Sequence, residues 1–349
     1  MEPGDPTRAA GRFFALGPPV MSVADRLRLG LPTILVLVGF ALAGRFLDGL
    51  VTGLGTYAVL FGAIPGRRHR ALVMAVAGIG LVTAVCAGIL AAGSLPWTLT
   101  AFLAAAVLAV VLDTAVRLGP PGPYFFLLMV GGGGVVGAAG LGVADVVPGL
   151  ALGAVIALVA AVAGPDRDPP DEDGPAAGVC ERLTWPHPDA VVFARVTVAT
   201  VVTFAALTLV GDAHPFWAML VVVLVLSFPG DRDALLVRTA HRVAGTAVGF
   251  LAFWAWTLVG PPTWVAFVAM GVLLWATMSL APRNYGLACV AITLLALLMT
   301  QALLPGEPPA RMALDRVADT LVGAVVAVAC LLLIRPRRAA TETDRSDRR

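Results

Sequence analysis

The chain has 349 residues, of which 59% are hydrophobic and 13% are charged, and its formal net charge is +2. A soluble domain carries about 25% charged residues, so the composition excludes an ordinary cytosolic enzyme, and the small net charge gives no basic field for nucleic acid. Because a membrane-spanning helix needs about 20 apolar residues, the length accommodates about twelve such helices with short loops.

Twelve apolar segments follow one another along the chain, and they predict an all-α polytopic membrane protein with about twelve transmembrane helices. The predicted helices, two of them short, are 29–47, 50–64, 71–92, 96–116, 123–142, 145–163, 190–210, 215–228, 236–259, 263–281, 285–304 and 312–334. The segment 1–28 has no apolar stretch long enough for a signal peptide, so we expect it to stay uncleaved in the cytoplasm.

The arginines predict the orientation of these helices, since cytoplasmic loops of membrane proteins are enriched in Arg and Lys. The chain has 24 arginines and no lysine. With the N-terminus inside, 21 of the 24 arginines fall on the cytoplasmic side, and only Arg45, Arg311 and Arg316 fall outside. We therefore expect both termini in the cytoplasm.

Composition divides the chain into two halves. The stretch 165–189 is acidic and proline-rich, cannot bury apolar surface, and is predicted to be a cytoplasmic linker. It separates a first six-helix repeat, 29–164, from a second, 190–335, and a basic cytoplasmic tail, 336–349, follows. Because six is an even number, both copies have the same orientation in the membrane, and we expect parallel repeats related by an axis along the membrane normal.

Glycines spaced four apart predict close contacts between helices, because they let two helix backbones approach. The glycines to which we assign this packing role are Gly149, Gly153, Gly245, Gly249 and Gly323. The stretch 132–137 formally matches a dinucleotide fingerprint, but it lies within an apolar helix and has no preceding strand, so we do not interpret it as a nucleotide site.

The ninth helix begins with two arginines on one face, Arg238 and Arg242, one turn apart. One interpretation is that they reach lipid headgroups and fix the topology. The other is that they bind an anion, because a guanidinium holds a carboxylate in a two-pronged contact. The small and polar residues from Arg242 to Gly249 continue this face into the bundle, and Thr246 is among them.

The twelfth helix repeats that spacing from the opposite end. Both Arg242–Gly249 and Arg316–Gly323 follow the pattern R-x-x-(G/D)-T-x-x-G, with Thr320 in the position of Thr246. Asp319 lies about 13 Å along this helix if the helix starts near residue 310. A charge at that depth is costly and usually pairs or functions. Asp319 therefore either forms a structural ion pair with Arg316, or it exchanges a proton or lines the substrate path.

Two tryptophans stand near the outer ends of predicted helices. Trp97 and Trp217 are expected to anchor the protein in the aromatic belt at the membrane interface. His214, close to Trp217, is expected in a solvated loop.

The sequence contains no cofactor or metal motif. Cys86, Cys289 and Cys330 lie in apolar segments without the spacing of a metal or redox pair, and we expect them to be inert packing residues. A nucleophile elbow and a phosphate loop are also absent from the sequence. We therefore expect no enzyme, metal or cofactor, and active transport would depend on an ion gradient or a partner.

Three segments resemble a known family. They are His214–Ala218, Arg238–Gly249 and Arg316–Gly323, the last followed by an apolar run that ends at Pro336. Together they resemble the fusaric acid resistance protein-like, or aromatic acid exporter, membrane proteins, most clearly over about 190–336. The first half fits the architecture, but it has Val73 and Met74 where Gly and Thr would follow Arg70, and Gly149 in the place of Asp319.

The resemblance implies export of aromatic carboxylic acids or related small organic anions across the inner membrane. It also leaves open a periplasmic partner protein and a homo-oligomer. On this interpretation Arg238, Arg242, Thr246 and Thr320 bind the anion, and Asp319, held by Arg316, couples its export to protons. The alternatives are a passive organic-anion channel similar to aluminium-activated malate channels, and a membrane scaffold that transports nothing.

Overall fold

The computed structural model describes residues 13–19, 22–62, 66–119, 122, 125–163, 190–212, 215–228 and 232–333. In these ranges the regular structure is helical, without strands, and comprises twelve α-helices. They are α1 (Val23–Leu42), α2 (Phe46–Gly55), α3 (Arg67–Ala91), α4 (Leu95–Val116), α5 (Phe125–Ala138), α6 (Val143–Val162), α7 (Ala190–Leu209), α8 (Phe216–Leu226), α9 (Arg232–Val259), α10 (Thr263–Leu280), α11 (Tyr285–Leu303) and α12 (Pro309–Leu333). A 3₁₀ segment, Thr56–Phe61, continues α2.

Within the described residues the predicted number of helices is confirmed, and seven of them are long and apolar enough to cross a membrane. These seven are α3, α4, α6, α9, α10, α11 and α12. Shorter apolar segments lie at Phe46–Phe61, Phe125–Ala138, Ala194–Leu209 and Phe216–Leu226. The chain is therefore a multi-pass membrane protein, and seven of the twelve expected spans meet these criteria of length and hydropathy.

Several helices begin earlier than predicted, for local reasons. The first predicted helix starts at 29, whereas α1 starts at Val23 because the Ser22 side chain caps it by accepting a hydrogen bond from Asp25 N at 3.1 Å. Capping of this kind satisfies amide groups that have no partner within the helix. The last helix starts at Pro309 rather than 312, since proline fits the first turn of a helix.

The helices of the second half pair in the same way as those of the first. In the first half α3 packs on α5 and α6, and α2 packs on α6. In the second half α9 packs on α11 and α12, and α8 packs on α12. The two halves also exchange contacts, since α1 packs on α10 and α4 packs on α7. One helical bundle results, with contacts that run between the halves.

Glycines allow the tightest of these contacts. A Cβ atom at Gly153 on α6 would lie 2.1 Å from Thr52 O on α2, and one at Gly323 on α12 would lie 2.4 Å from Ala218 O on α8. On α9, a Cβ atom at Gly245 would lie 2.5 Å from Gly286 O. A Cβ atom would also meet a neighbouring side chain at Gly149 and Gly249. Because glycine has no Cβ atom, these helices can pack more closely than they could with any other residue at these positions.

We expect the substitution Gly153→Ala to destabilise the protein by about 1–3 kcal/mol, because α6 would have to move away from the α2 backbone. The matched control is Gly132→Ala in α5, where a Cβ atom would meet nothing within 4 Å. Thermal unfolding in detergent measures both variants. An unchanged midpoint for Gly153→Ala would contradict the close backbone contact.

Candidate anion-binding site

A buried group of polar side chains lies where α9, α11 and α12 meet. On α9 the residues are Arg242 and Thr246, on α11 Thr293, and on α12 Arg316, Asp319 and Thr320, and each is at most 2% exposed. Residues four apart lie on the same face of a helix. The repeated spacing of arginine and threonine therefore turns one polar face of α9 and one of α12 toward each other.

Three threonine hydroxyl groups form the centre of this group. The Thr246 oxygen lies 3.4 Å from the Thr293 hydroxyl and 3.5 Å from the Thr320 hydroxyl. The Thr320 hydroxyl also donates to Arg316 O at 2.8 Å. We call Thr246, Thr293 and Thr320 the threonine cluster. The threonine cluster joins α9, α11 and α12. At this level Gly245 and Gly249 allow α9 to pack closely on α11.

Arg242 is completely buried without a carboxylate partner. Its Nη1 lies 3.8 Å from Cys289 Sγ, and its Nε and Nη2 atoms have no hydrogen-bond partner. Cys289, which we expected to be inert packing, is therefore in contact with this guanidinium. A buried charge normally has an ionic or hydrogen-bonding partner, because removing it from water is costly. Arg242 thus presents two unused donors inside the protein.

Arg316 is also completely buried, and none of its three guanidinium nitrogens has a hydrogen-bond partner. Its Cζ lies 5.1 Å from the centre of the Trp217 ring, within range of a cation–π contact. Trp217 is 1% exposed, so its predicted position in the aromatic belt is wrong. Trp97, by contrast, is 67% exposed. His214 lies outside the described residues.

The predicted pair of Arg316 and Asp319 is not hydrogen bonded. Asp319 Oδ2 has no partner, and the Asp212 side chain, from the connection between α7 and α8, is within hydrogen-bonding reach of Asp319. The Arg316 guanidinium lies over the Trp217 ring instead.

Arg238 lies one turn before Arg242 but has different surroundings. Its Nε donates to Leu224 O at 2.9 Å, and its guanidinium lies between the rings of Phe228 and Tyr285, at 4.0 and 3.6 Å. The rings hold Arg238 at the end of the bundle where α9 begins, which we call the Arg238 end. The opposite end, where α8 and α12 begin, is the Trp217 end.

The N-terminal residues close over the Arg238 end. Phe13 O lies 2.8 Å from His241 Nε2 and accepts from Asn284 Nδ2 at 3.1 Å. Gly17 N donates to Arg283 O at 2.8 Å. These contacts attach the segment before α1 to the starts of α9 and α11. It therefore lies beside the arginines that we expected to gather the anion.

Among its described residues, the first half has no equivalent group of buried arginine, threonine and aspartate side chains. Arg70 is buried and donates from Nε to Ala161 O at 2.9 Å. The residues one turn later, Val73 and Met74, are buried and apolar, and Gly149 packs against α2. The described residues also contain no cluster of His, Cys, Asp or Glu that could hold a metal ion.

Comparison with known families gives a match in the second half of the chain. Residues 183–330 match the model of the family described as fusaric acid resistance protein-like. This stretch, in the second half of the chain, is similar to that family. The resemblance seen in the three motif segments is thus confirmed, over nearly the predicted range. Comparisons with curated proteins and with solved structures find no match.

The buried polar group lies entirely within this fusaric acid resistance protein-like segment. Arg242, the threonine cluster, Arg316 and Asp319 all fall between residues 183 and 330. The family match and the apolar helices together indicate a multi-pass, transporter-like membrane protein.

Proposed function

We propose that the protein is an inner-membrane secondary transporter that exports small aromatic or other organic acids. The observation that carries this proposal is the pair of buried guanidinium groups, Arg242 and Arg316, with five nitrogens that lack a hydrogen-bond partner. Leaving a charged donor buried and unpaired is strongly unfavourable. A permeating anion would supply the missing partner.

Arg242 has the donor geometry for a carboxylate. Its unused Nε and Nη2 atoms form the side of the guanidinium that makes two parallel hydrogen bonds, while Nη1 contacts Cys289. Two parallel N–H donors match the two oxygens of a carboxylate. Thr246 and Thr320, one turn further on their helices, would then donate to the anion as it passes.

Arg238 has a different role in this proposal. The Phe228 and Tyr285 rings hold its guanidinium, so it would attract anions by its charge rather than bind them in a fork. A fixed positive charge at the mouth of a site raises the local concentration of anions. Anions arriving at the Arg238 end would then pass to Arg242.

An apolar cavity supports aromatic substrates. At the Trp217 end a cavity of about 690 Å³ opens between the halves, and its lining includes Phe46, Trp256, Phe267 and Gln301. No charged residue lines it in the described part of the chain. Ligand sites are mostly apolar, with a few polar groups for orientation. An aromatic ring would leave the bundle through such a cavity more readily than a strongly hydrated ion.

Asp319 is our candidate for proton coupling. It is 2% exposed, and the Asp212 side chain is within hydrogen-bonding reach. Two carboxyl groups can hydrogen bond to each other only when one of them carries a proton. The pair therefore offers a place where a proton can be held and released beside the arginines.

We also propose that the two halves are parallel six-helix repeats with both termini in the cytoplasm. The repeated pairing of α3 with α5 and α6, and of α9 with α11 and α12, supports this arrangement. The polar group would then belong to one repeat alone, because Val73, Met74 and Gly149 replace its key residues in the other.

Purified protein in liposomes that contain a pH-sensitive dye tests the proposed function. With a pH gradient imposed and 4-hydroxybenzoate added, we expect a saturable, protein-dependent change in lumenal pH, and empty liposomes correct for permeation of the neutral acid. Anion flux without proton movement would contradict coupling and favour a channel. No flux across a panel of organic acids would contradict transport and favour a scaffold.

A further inference from the structure

We propose that Arg316 and Trp217 form a second anion-binding site, distinct from Arg242 and on the other side of the threonine cluster. The site would take a small monovalent anion such as a carboxylate or a halide. It deepens the proposed function, on which it rests for the organic nature of the natural ligand.

The first argument is the lack of any partner for the Arg316 donors. The side chain is 0% exposed, and Nε, Nη1 and Nη2 are all without a hydrogen bond. Asp319, on the same helix, does not accept a hydrogen bond from Arg316, and the Trp217 ring makes a cation–π contact with the guanidinium rather than a hydrogen bond. All three guanidinium nitrogens of Arg316 can therefore donate hydrogen bonds to a ligand.

The second argument is position. Helices α9 and α12 run in opposite directions, because three connections lie between them and each reverses the chain. Thr246 and Thr320 face each other at 3.5 Å, and each follows its arginine by four residues. Arg242 therefore lies toward the Arg238 end and Arg316 toward the Trp217 end, with their Cα atoms separated by roughly 12 Å along the bundle. The two arginines therefore approach the threonine cluster from opposite ends of the bundle.

The third argument is charge. The Arg242 charge acts unfavourably on Arg316, and the Asp319 charge acts favourably. With two buried guanidinium groups and one nearby carboxyl group that also has Asp212 as a neighbour, the cations exceed their protein partners. An anion at Arg316 would offset this excess. It would also give a transported anion a second position after it leaves Arg242.

Iodide tests the site directly, because it is a small anion that quenches tryptophan fluorescence on contact. Trp217 is 1% exposed, so dissolved iodide cannot reach it by collision, whereas iodide bound at Arg316 would lie next to its ring. We would titrate iodide into protein in lipid nanodiscs, keeping ionic strength constant with sulfate, which is a divalent anion and not a carboxylate. A saturable quenching component is expected, above the linear component from exposed tryptophans.

Substitutions identify which residues are responsible for the saturable quenching. Trp217→Phe should remove it, and Arg316→Gln should weaken iodide binding by at least about tenfold. Arg311→Gln on the same helix, where Arg311 is 74% exposed, is the matched control and should leave it unchanged. If Arg316→Gln does not fold, Arg316→Lys keeps the charge but not the planar donors, and should still weaken saturable quenching.

Two results would overturn the inference: only linear quenching in the wild type, or a saturable component that survives Arg316→Gln. Its failure can be told apart from failure of the proposed function. Saturable iodide binding at Arg316 together with no organic-acid flux in liposomes would retain the site and reject transport. Flux without saturable iodide binding would retain transport and reject the site.

Discussion

Replacing Arg242 with methionine should abolish organic-anion transport and leave the protein at least as stable as the wild type. A hydrogen-bonded buried charge pair loses about 2–5 kcal/mol when one partner is removed, so transport at low substrate concentration should fall by at least about thirtyfold. Stability should not fall in parallel, because Arg242 has no carboxylate partner in the protein. Methionine fills a similar volume without the cost of burying an unpaired charge.

Initial rates of 4-hydroxybenzoate flux and the thermal unfolding midpoint measure the two effects of Arg242→Met. Arg311→Met is the matched control, since Arg311 is exposed and its nearest acidic partner, Asp315, lies at 4.0 Å. Full flux in Arg242→Met would remove Arg242 from the anion path. A large drop in the midpoint would instead assign Arg242 a structural role.

The positions of the helices could be predicted because long apolar segments have few alternatives in a membrane. The prediction was less accurate at the ends of helices. Helix α1 begins after Ser22, within a segment that appears polar in the sequence. A search for apolar segments misses this start, because the helix begins at a side-chain cap and not at an apolar residue. The length of α5 was also overestimated, since this helix ends at Ala138 before the positive φ of Gly140.

Part of the site could be predicted from single helices. The repeated spacing of arginine and threonine correctly indicated one polar face on α9 and one on α12. It could not indicate that Thr293 and Cys289 on α11 would meet that face, because those residues belong to no motif and their contacts cross between helices. Tyr285, whose ring contacts Arg238, has no feature in the sequence that distinguishes it beyond its position at the start of a helix.

The order of Arg316 and Asp319 along α12 bears on their pairing. An acidic residue that precedes a basic one on a helix pairs better than the reverse order. Here the arginine precedes the aspartate, and none of the guanidinium nitrogens is hydrogen bonded to the carboxylate. The burial of Trp217 follows from the same arrangement, because α12 packs on α8 and brings Arg316 over the indole ring.

The substitution Asp319→Asn should separate anion movement from proton movement. The amide has almost the same size as the carboxyl group but does not take up or release a proton at neutral pH. We expect exchange of labelled 4-hydroxybenzoate across the membrane at equal pH to remain within about threefold of the wild type, while a pH gradient no longer drives its accumulation. On the same liposomes, the pH-sensitive dye measures proton movement and the labelled substrate measures exchange.

The matched control is Asp315→Asn, one turn earlier on α12, where the carboxylate is partly exposed and faces Arg311. It should retain both exchange and pH-driven accumulation. Accumulation that persists in Asp319→Asn would exclude Asp319 as the coupling group. Loss of exchange as well as accumulation would place Asp319 in the anion path itself, because a residue that serves only to carry protons is not needed when substrate moves at equal pH.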